Sequence, residues 1–153
     1  MLRRLGQRLA SDETGFTLIE LMIVLLIIGI LATIAIALYV GHAKKADDAD
    51  AKSNAKNLAT EVELCFAPNE DFTQCDTPAK LADNLEVPYG TNPGQAHIVS
   101  ATKQSFVVEA VSKAQSNGTY HTFTIERDIA GITKQVCTAG PDNNAGGCKN
   151  GTW

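Results

Sequence analysis

"TGFTLIELMIVLLIIGILATIAIALYV", residues 14–40, is the stretch on which the reading of this chain turns. From Leu21 to Val40 twenty residues pass without a formal charge, and one carboxylate, Glu20, stands at the entrance. As an α-helix rising ~1.5 Å per residue, residues 16–40 would span roughly 38 Å, more than the ~30 Å hydrocarbon core of a bilayer. A lone carboxylate within such a helix costs about 2.5–3.5 kcal/mol on insertion scales, so it calls for a partner. Upstream, "MLRRLGQRLASDETG" puts Arg3, Arg4 and Arg8 ahead of the apolar run, the arrangement that keeps an N-terminus on the cytoplasmic side.

The whole chain has 153 residues, 44% hydrophobic and 20% charged, which suits one modest domain plus an apolar segment. The chain beyond residue 41 is polar and of single-domain size, so the protein reads as an anchored small domain. A secretory signal peptide cut at Ala35–Ala37 would need an apolar core of about 7–15 residues, shorter than this one. Neither that reading nor a plain signal anchor has any use for Glu20.

Gly15-Phe16-Thr17-Leu18-Ile19-Glu20, behind a basic leader and ahead of an unbroken apolar helix, resembles the prepilin signature of type IV pilins and pseudopilins. The match is close over residues 15–41 and looser beyond. The resemblance implies that a prepilin peptidase cuts between Gly15 and Phe16 and methylates the new amine of Phe16. It implies that the apolar helix stays in the mature protein, and that Glu20, fifth after the cut, attracts the Phe16 amine of a neighbouring subunit during assembly. Many pilins carry a proline where this chain has Ala37, in "GILATIAIALY". An internal proline removes a hydrogen bond and costs ~3 kcal/mol or more. Alanine there predicts a continuous helix from about Phe16 to Phe66.

Two features of the helix stand apart from the resemblance. Gly29, Thr33, Ala37 and Gly41 recur every fourth residue, a stripe of small side chains that lets membrane helices approach closely. Beyond the apolar run, His42 to Ala67 contains no proline or glycine, and Ala51, Ala55, Leu58, Ala59, Val62, Cys65 and Phe66 follow helical spacing. Pro68 is expected to end the helix. The run Lys44 to Asp50 reads as a solvated charged face.

The remainder forms a head. Thr77-Pro78 opens a short helix expected to reach about Asn84. Alternating runs at "AHIVSA" (96–101), "SFVVEAVS" (105–112), "TYHTFTIER" (119–127) and "ITKQVC" (132–137) read as four strands in meander order, with turns at Thr102–Gln104, Ser116–Gly118 and Ala130-Gly131. The expected fold class is therefore α+β: a long N-terminal helix packed on a C-terminal antiparallel sheet and stapled by disulfides. The divisions are a leader at 1–15, a transmembrane or filament-core helix at 16–40, its amphipathic continuation at 41–67 and the head at 68–153. Four cysteines allow three pairings, and neighbour pairing would join Cys65 to Cys75 and Cys137 to Cys148. Their spacing fits no common zinc pattern.

Catalysis finds little support. His42, His97 and His121 have no nucleophile motif near them and read as surface or filler residues, and no phosphate loop, dinucleotide fingerprint or metalloprotease helix is present. No cofactor is called for. Asp142-Asn143-Asn144 supplies only three calcium ligands without a glutamate, and the Asn-Gly-Thr sequons at Asn117 and Asn150 read as turns. Removing residues 1–15 takes Arg3, Arg4 and Arg8 from 13 basic residues and Asp12 and Glu13 from 17 acidic ones, leaving 10 against 15. Such a head repels phosphate, so no specific nucleic acid is expected.

The resemblance thus implies a structural subunit of a type IV pilus, a helical filament of identical subunits for adhesion or motility. Its partners would be the prepilin peptidase, the pilus assembly platform and ATPase, and the inner membrane before assembly; the assembled filament is extracellular. Within the family the alternative is a minor pilin or a pseudopilin of a type II secretion or DNA-uptake machine. Outside it, the alternative is a membrane-anchored binding domain that never polymerises.

Overall fold

Ala96, Ala110, Phe123 and Cys137 stand side by side across four strands, and all four are buried. That row is the centre of the head. The computed structural model describes residues 15–81, 85–141 and 143–153. It divides into two units, Met1–Leu38 and Tyr39–Trp153. One helix, α1 (Leu18–Asn69), contributes to both, and Gly29 and Ala37 lie inside it.

In the second unit the sheet is an antiparallel meander of β1 (Ala96–Ala101), β2 (Phe106–Ser116), β3 (Thr119–Arg127) and β4 (Thr133–Thr138). Side chains alternate across a strand, so Phe106, Val108 and Ala110 share the buried face with Phe123 and Ile125 of β3. The β2–β3 link is a two-residue hairpin turn: Ser116 pairs Thr119, and Asn117 and Gly118 take φ of 53° and 79°. Asparagine and glycine accept that left-handed backbone, and its twist matches the strands it joins.

The sheet packs on the second half of α1 through Ala51, Ala55, Leu58, Ala59 and Val62, all buried. The stripe begins earlier than its apolar members: Asp48, one turn before Ala51, is fully buried. The charge run is therefore not solvated throughout, because Asp48 shares helical phase with the core residues.

Pro68 does not end α1. It occupies the last turn, where a missing N–H frees only one carbonyl. The helix stops at Glu70, whose φ of 50° turns the chain and whose N–H bonds the Phe66 carbonyl at 2.7 Å. At the other end the first helical residue is Leu18, with residues 15–17 outside the helix. After α1 comes a 3-10 turn, η1 (Phe72–Cys75), capped by Asp71, which accepts from Thr73 N and Oγ1 at 2.9 and 2.6 Å. Those two bonds hold the Asp71 carboxyl below its ordinary range.

The short helix expected from Thr77 is only a 3-10 turn, η2 (Pro78–Lys80). Leu81 adopts extended backbone with ψ 178°, which stops helical propagation, and its side chain is buried. Residues 82–84 of the expected helix lie outside the described residues.

Disulfides join Cys65 to Cys75 and Cys137 to Cys148. The first ties the end of α1 to η1, where Phe72 stacks on Phe66 at 4.1 Å and meets Phe106 edge-on at 4.9 Å. The second closes the C-terminal loop over β4, and Trp153 Nε1 donates to the Val136 carbonyl at 2.9 Å. All four sulfurs are committed to these bridges, so none is a zinc ligand.

Candidate functional site: the exposed N-terminal helix segment

Leu18–Ile36 is long and apolar enough to cross a membrane, and its side chains are exposed throughout. At ~1.5 Å per residue this stretch covers roughly 28 Å, close to the thickness of a hydrocarbon core. Soluble monomers rarely leave so continuous an apolar surface uncovered.

Gly15 and Phe16 precede the helix in exposed chain, with Phe16 84% accessible. A peptide bond outside regular structure presents both its carbonyl and its amide to another protein. Glu20 lies in the first turn of α1 and is held there by its own chain. Its Oε2 accepts from Thr17 N at 2.9 Å and from Thr17 Oγ1 at 2.7 Å, while Thr17 Oγ1 accepts from Glu20 N at 3.3 Å. This is a reciprocal capping box, satisfying amides that the first helical turn leaves without partners. A carboxylate at a helix N-terminus also meets the positive end of the helix dipole. The sequence carries the signal for this box as Thr17-x-x-Glu20 before an apolar run, but the charge of Glu20 draws attention away from Thr17.

Of the small-residue stripe, Gly29 and Thr33 are described fully, whereas the surroundings of Ala37 and Gly41 lie outside the described side chains. A Cβ placed on Gly29 would meet nothing within 4 Å. Among the described residues nothing therefore demands a glycine there. Thr33 Oγ1 donates to the Ile30 carbonyl at 2.7 Å, so its hydroxyl is satisfied within the helix and carries no unpaired polar group toward lipid or a neighbour.

The head holds a second polar constellation for which the sequence had no signal. His121 on β3, read as filler, is buried, with Nδ1 3.0 Å from each oxygen of Asp48 and Nε2 2.8 Å from Ser116 Oγ. Gly147 N donates to Asp48 Oδ2 at 2.9 Å, and Lys52 Nζ donates to the Gly147 carbonyl at 2.6 Å. Gly146 has a φ of 59°, and a Cβ there would collide with the Asp48 carboxylate. Burial pushes the Lys52 amine below its ordinary range; Lys56 acts in the same direction and Asp48 against it. One hydrogen-bonded pair, Asp48 and His121, thus joins α1, β3 and the C-terminal disulfide loop.

Among the described residues no group of three histidine, cysteine or acidic side chains could hold a metal. Of the residues considered for calcium, Asn143 instead accepts from Ala139 N at 3.1 Å, and Asp142 lies outside the described residues.

The described residues thus combine an exposed apolar helix segment, long enough to cross a membrane, with a disulfide-closed sheet packed on the second half of the same helix. Residues 11–36 match the family profile described as the prokaryotic N-terminal methylation motif. A fimbrial protein of Pseudomonas aeruginosa is 33% identical over 103 residues, covering 65% of this chain and 67% of that protein. The chain belongs to the type IV pilin family. A type IV major fimbrial protein, FimA, of Dichelobacter nodosus is 40% identical over 65 residues, 42% of each chain. The type IV major pilin protein PilA of Myxococcus xanthus strain DK1622 is 44% identical over 66 residues, 43% of this chain and 30% of that one. The matched stretch thus spans less than half the length of these last two relatives. No solved structure matches the chain significantly.

Proposed function

We propose that this chain is the structural subunit of a type IV pilus and polymerises through the first part of α1 into an extracellular filament for adhesion or motility. The observation that carries this reading is the uncovered apolar surface of Leu18–Ile36 with one carboxylate, Glu20, at its start. In the inner membrane lipid covers that surface; in the filament the helices of identical subunits cover it.

Prepilin peptidase cuts the exposed Gly15–Phe16 bond and methylates the Phe16 amine, which keeps its positive charge. Glu20 then attracts the Phe16 amine of the neighbouring subunit. Only Oε2 takes part in the capping box, and a carboxylate has about four acceptor positions, so the box and the ion pair can coexist. Gly29, Thr33, Ala37 and Gly41 form the stripe along which neighbouring helices approach. The assembly platform and its ATPase supply the work of extraction from the membrane. Nothing in this role requires catalysis or a cofactor.

Mass analysis of the mature protein tests the scheme: an N-methylated Phe16 is expected. A mature start at Leu38, after Ala35–Ala37, would show an ordinary signal peptide and overturn it.

A further inference from the structure

Ser116, His121 and Asp48 stand in line, and only the serine reaches the surface. Ser116 Oγ is 2.8 Å from His121 Nε2, and His121 Nδ1 is 3.0 Å from both Asp48 oxygens. Asp48 and His121 are 0% and 1% exposed, whereas Ser116 is half-buried and lines a surface cleft of about 210 Å³ beside Tyr120, Thr138, Gly140 and Pro141. We propose that Ser116 is a base-activated hydroxyl that accepts a short acyl group from an activated carboxylic ester.

The ring geometry assigns the protons. Nδ1 faces a carboxylate, which only accepts, so Nδ1 carries a hydrogen. In the neutral ring Nε2 is then the acceptor, and it faces the Ser116 hydroxyl. Gly147 N on Asp48 Oδ2 fixes the carboxylate that orients the ring. A nucleophile within hydrogen-bond reach of a base, with that base oriented by a third group, is the arrangement that activates serine on unrelated folds. Gly140 brings its backbone against the serine: a Cβ on it would lie 3.3 Å from Ser116 Cβ, so this wall of the cleft stays close to the reacting atom.

In the step, the Ser116 Oγ–H proton passes to His121 Nε2 while Oγ forms a bond to the acyl carbon. The bond from acyl carbon to leaving oxygen breaks, and the leaving oxygen takes the proton from Nε2. The product is a seryl ester with the ring neutral again. The cleft volume suits a short acyl group rather than a lipid chain. Ser116 is a modification site of the head and does not turn over.

The full chain in detergent, treated with p-nitrophenyl acetate, provides the test. Phenolate release is followed, and hydroxylamine-sensitive esters are mapped by peptide mass analysis. Ser53 and Ser100, both exposed, are reference serines in the same molecule. Ser116 is expected to acetylate about a hundredfold faster than either, the lower range of general-base assistance. Ser116→Ala should abolish the fast phase, and His121→Gln should slow Ser116 acetylation by a similar factor. Acetylation of Ser116 at the rate of Ser53 and Ser100 overturns the proposal, and so does an unchanged rate in a folded His121→Gln protein. If His121→Gln does not fold, the comparison among serines in the unmodified chain decides alone.

Discussion

Thr17 and Glu20 share one hydrogen-bonded box, and substitutions can divide its two roles. Thr17→Val removes the hydroxyl, and with it the 2.7 Å bond to Glu20 Oε2 and the 3.3 Å bond from Glu20 N, but leaves the charge. Losing a helix cap of this kind costs about 0.5–2 kcal/mol, which is about two- to thirtyfold in the opening equilibrium of the first turn. Glu20→Gln does the opposite: glutamine serves in a capping box, but it cannot pair with an amine. The neutral side chain removes the attraction to the Phe16 amine of the neighbouring subunit, so subunit addition should slow steeply. Hydrogen exchange of the Glu20 amide in micelles should therefore speed up in Thr17→Val and stay near the parent rate in Glu20→Gln and Thr17→Ser. Filament yield should fall steeply in Glu20→Gln and stay near parent in Thr17→Val. Parental filament yield from Glu20→Gln would refute the ion-pair argument. Unchanged exchange in Thr17→Val would refute the capping argument without touching assembly.

Gly29→Leu should leave the membrane-inserted subunit as stable as the parent, since a side chain there meets nothing within 4 Å, yet should block filament growth; parental yield would remove the close-approach stripe from the mechanism. Asp48→Ala leaves the His121 Nδ1–H and the Gly147 N–H without their acceptor and should cost about 1–3 kcal/mol for each buried donor, lowering the melting temperature of the head by several degrees or more in a calorimetric scan; an unchanged melting temperature would show that the pair is dispensable. In the filament, α1 should stay helical between Gly29 and Ala37, because alanine keeps the amide that proline would lack. A filament map with extended backbone there would place the cause of melting in subunit packing instead.

Much of this molecule was legible residue by residue because the deciding forces are local. β1 and β3 have the bounds 96–101 and 119–127 that alternation and turn residues indicate. Asn117-Gly118 determines the hairpin through backbone conformations that few other residues adopt. The continuity of α1 follows from an apolar run, an alanine at 37 and a proline-free stretch to Ala67, each acting within a turn or two. Glu20 announces itself for the same reason: a charge in an apolar helix is anomalous wherever the rest of the chain goes.

Tertiary structure decided what depends on distant partners. Asp48 and His121 are 73 residues apart, and neither looks unusual among its neighbours. Their pairing exists only because α1 and β3 share a core. The charge run around Asp48 looked solvated because charge normally opposes burial; His121 and Gly147 N offset the desolvation, and only the fold brings them there. Residues 77–81 looked helical from Thr77-Pro78, but the core takes Leu81 in extended backbone, and burial outweighs a weak local preference. Ser116 gains its base the same way: the turn places it next to β3, and a carboxylate 73 residues before His121 orients the ring between them.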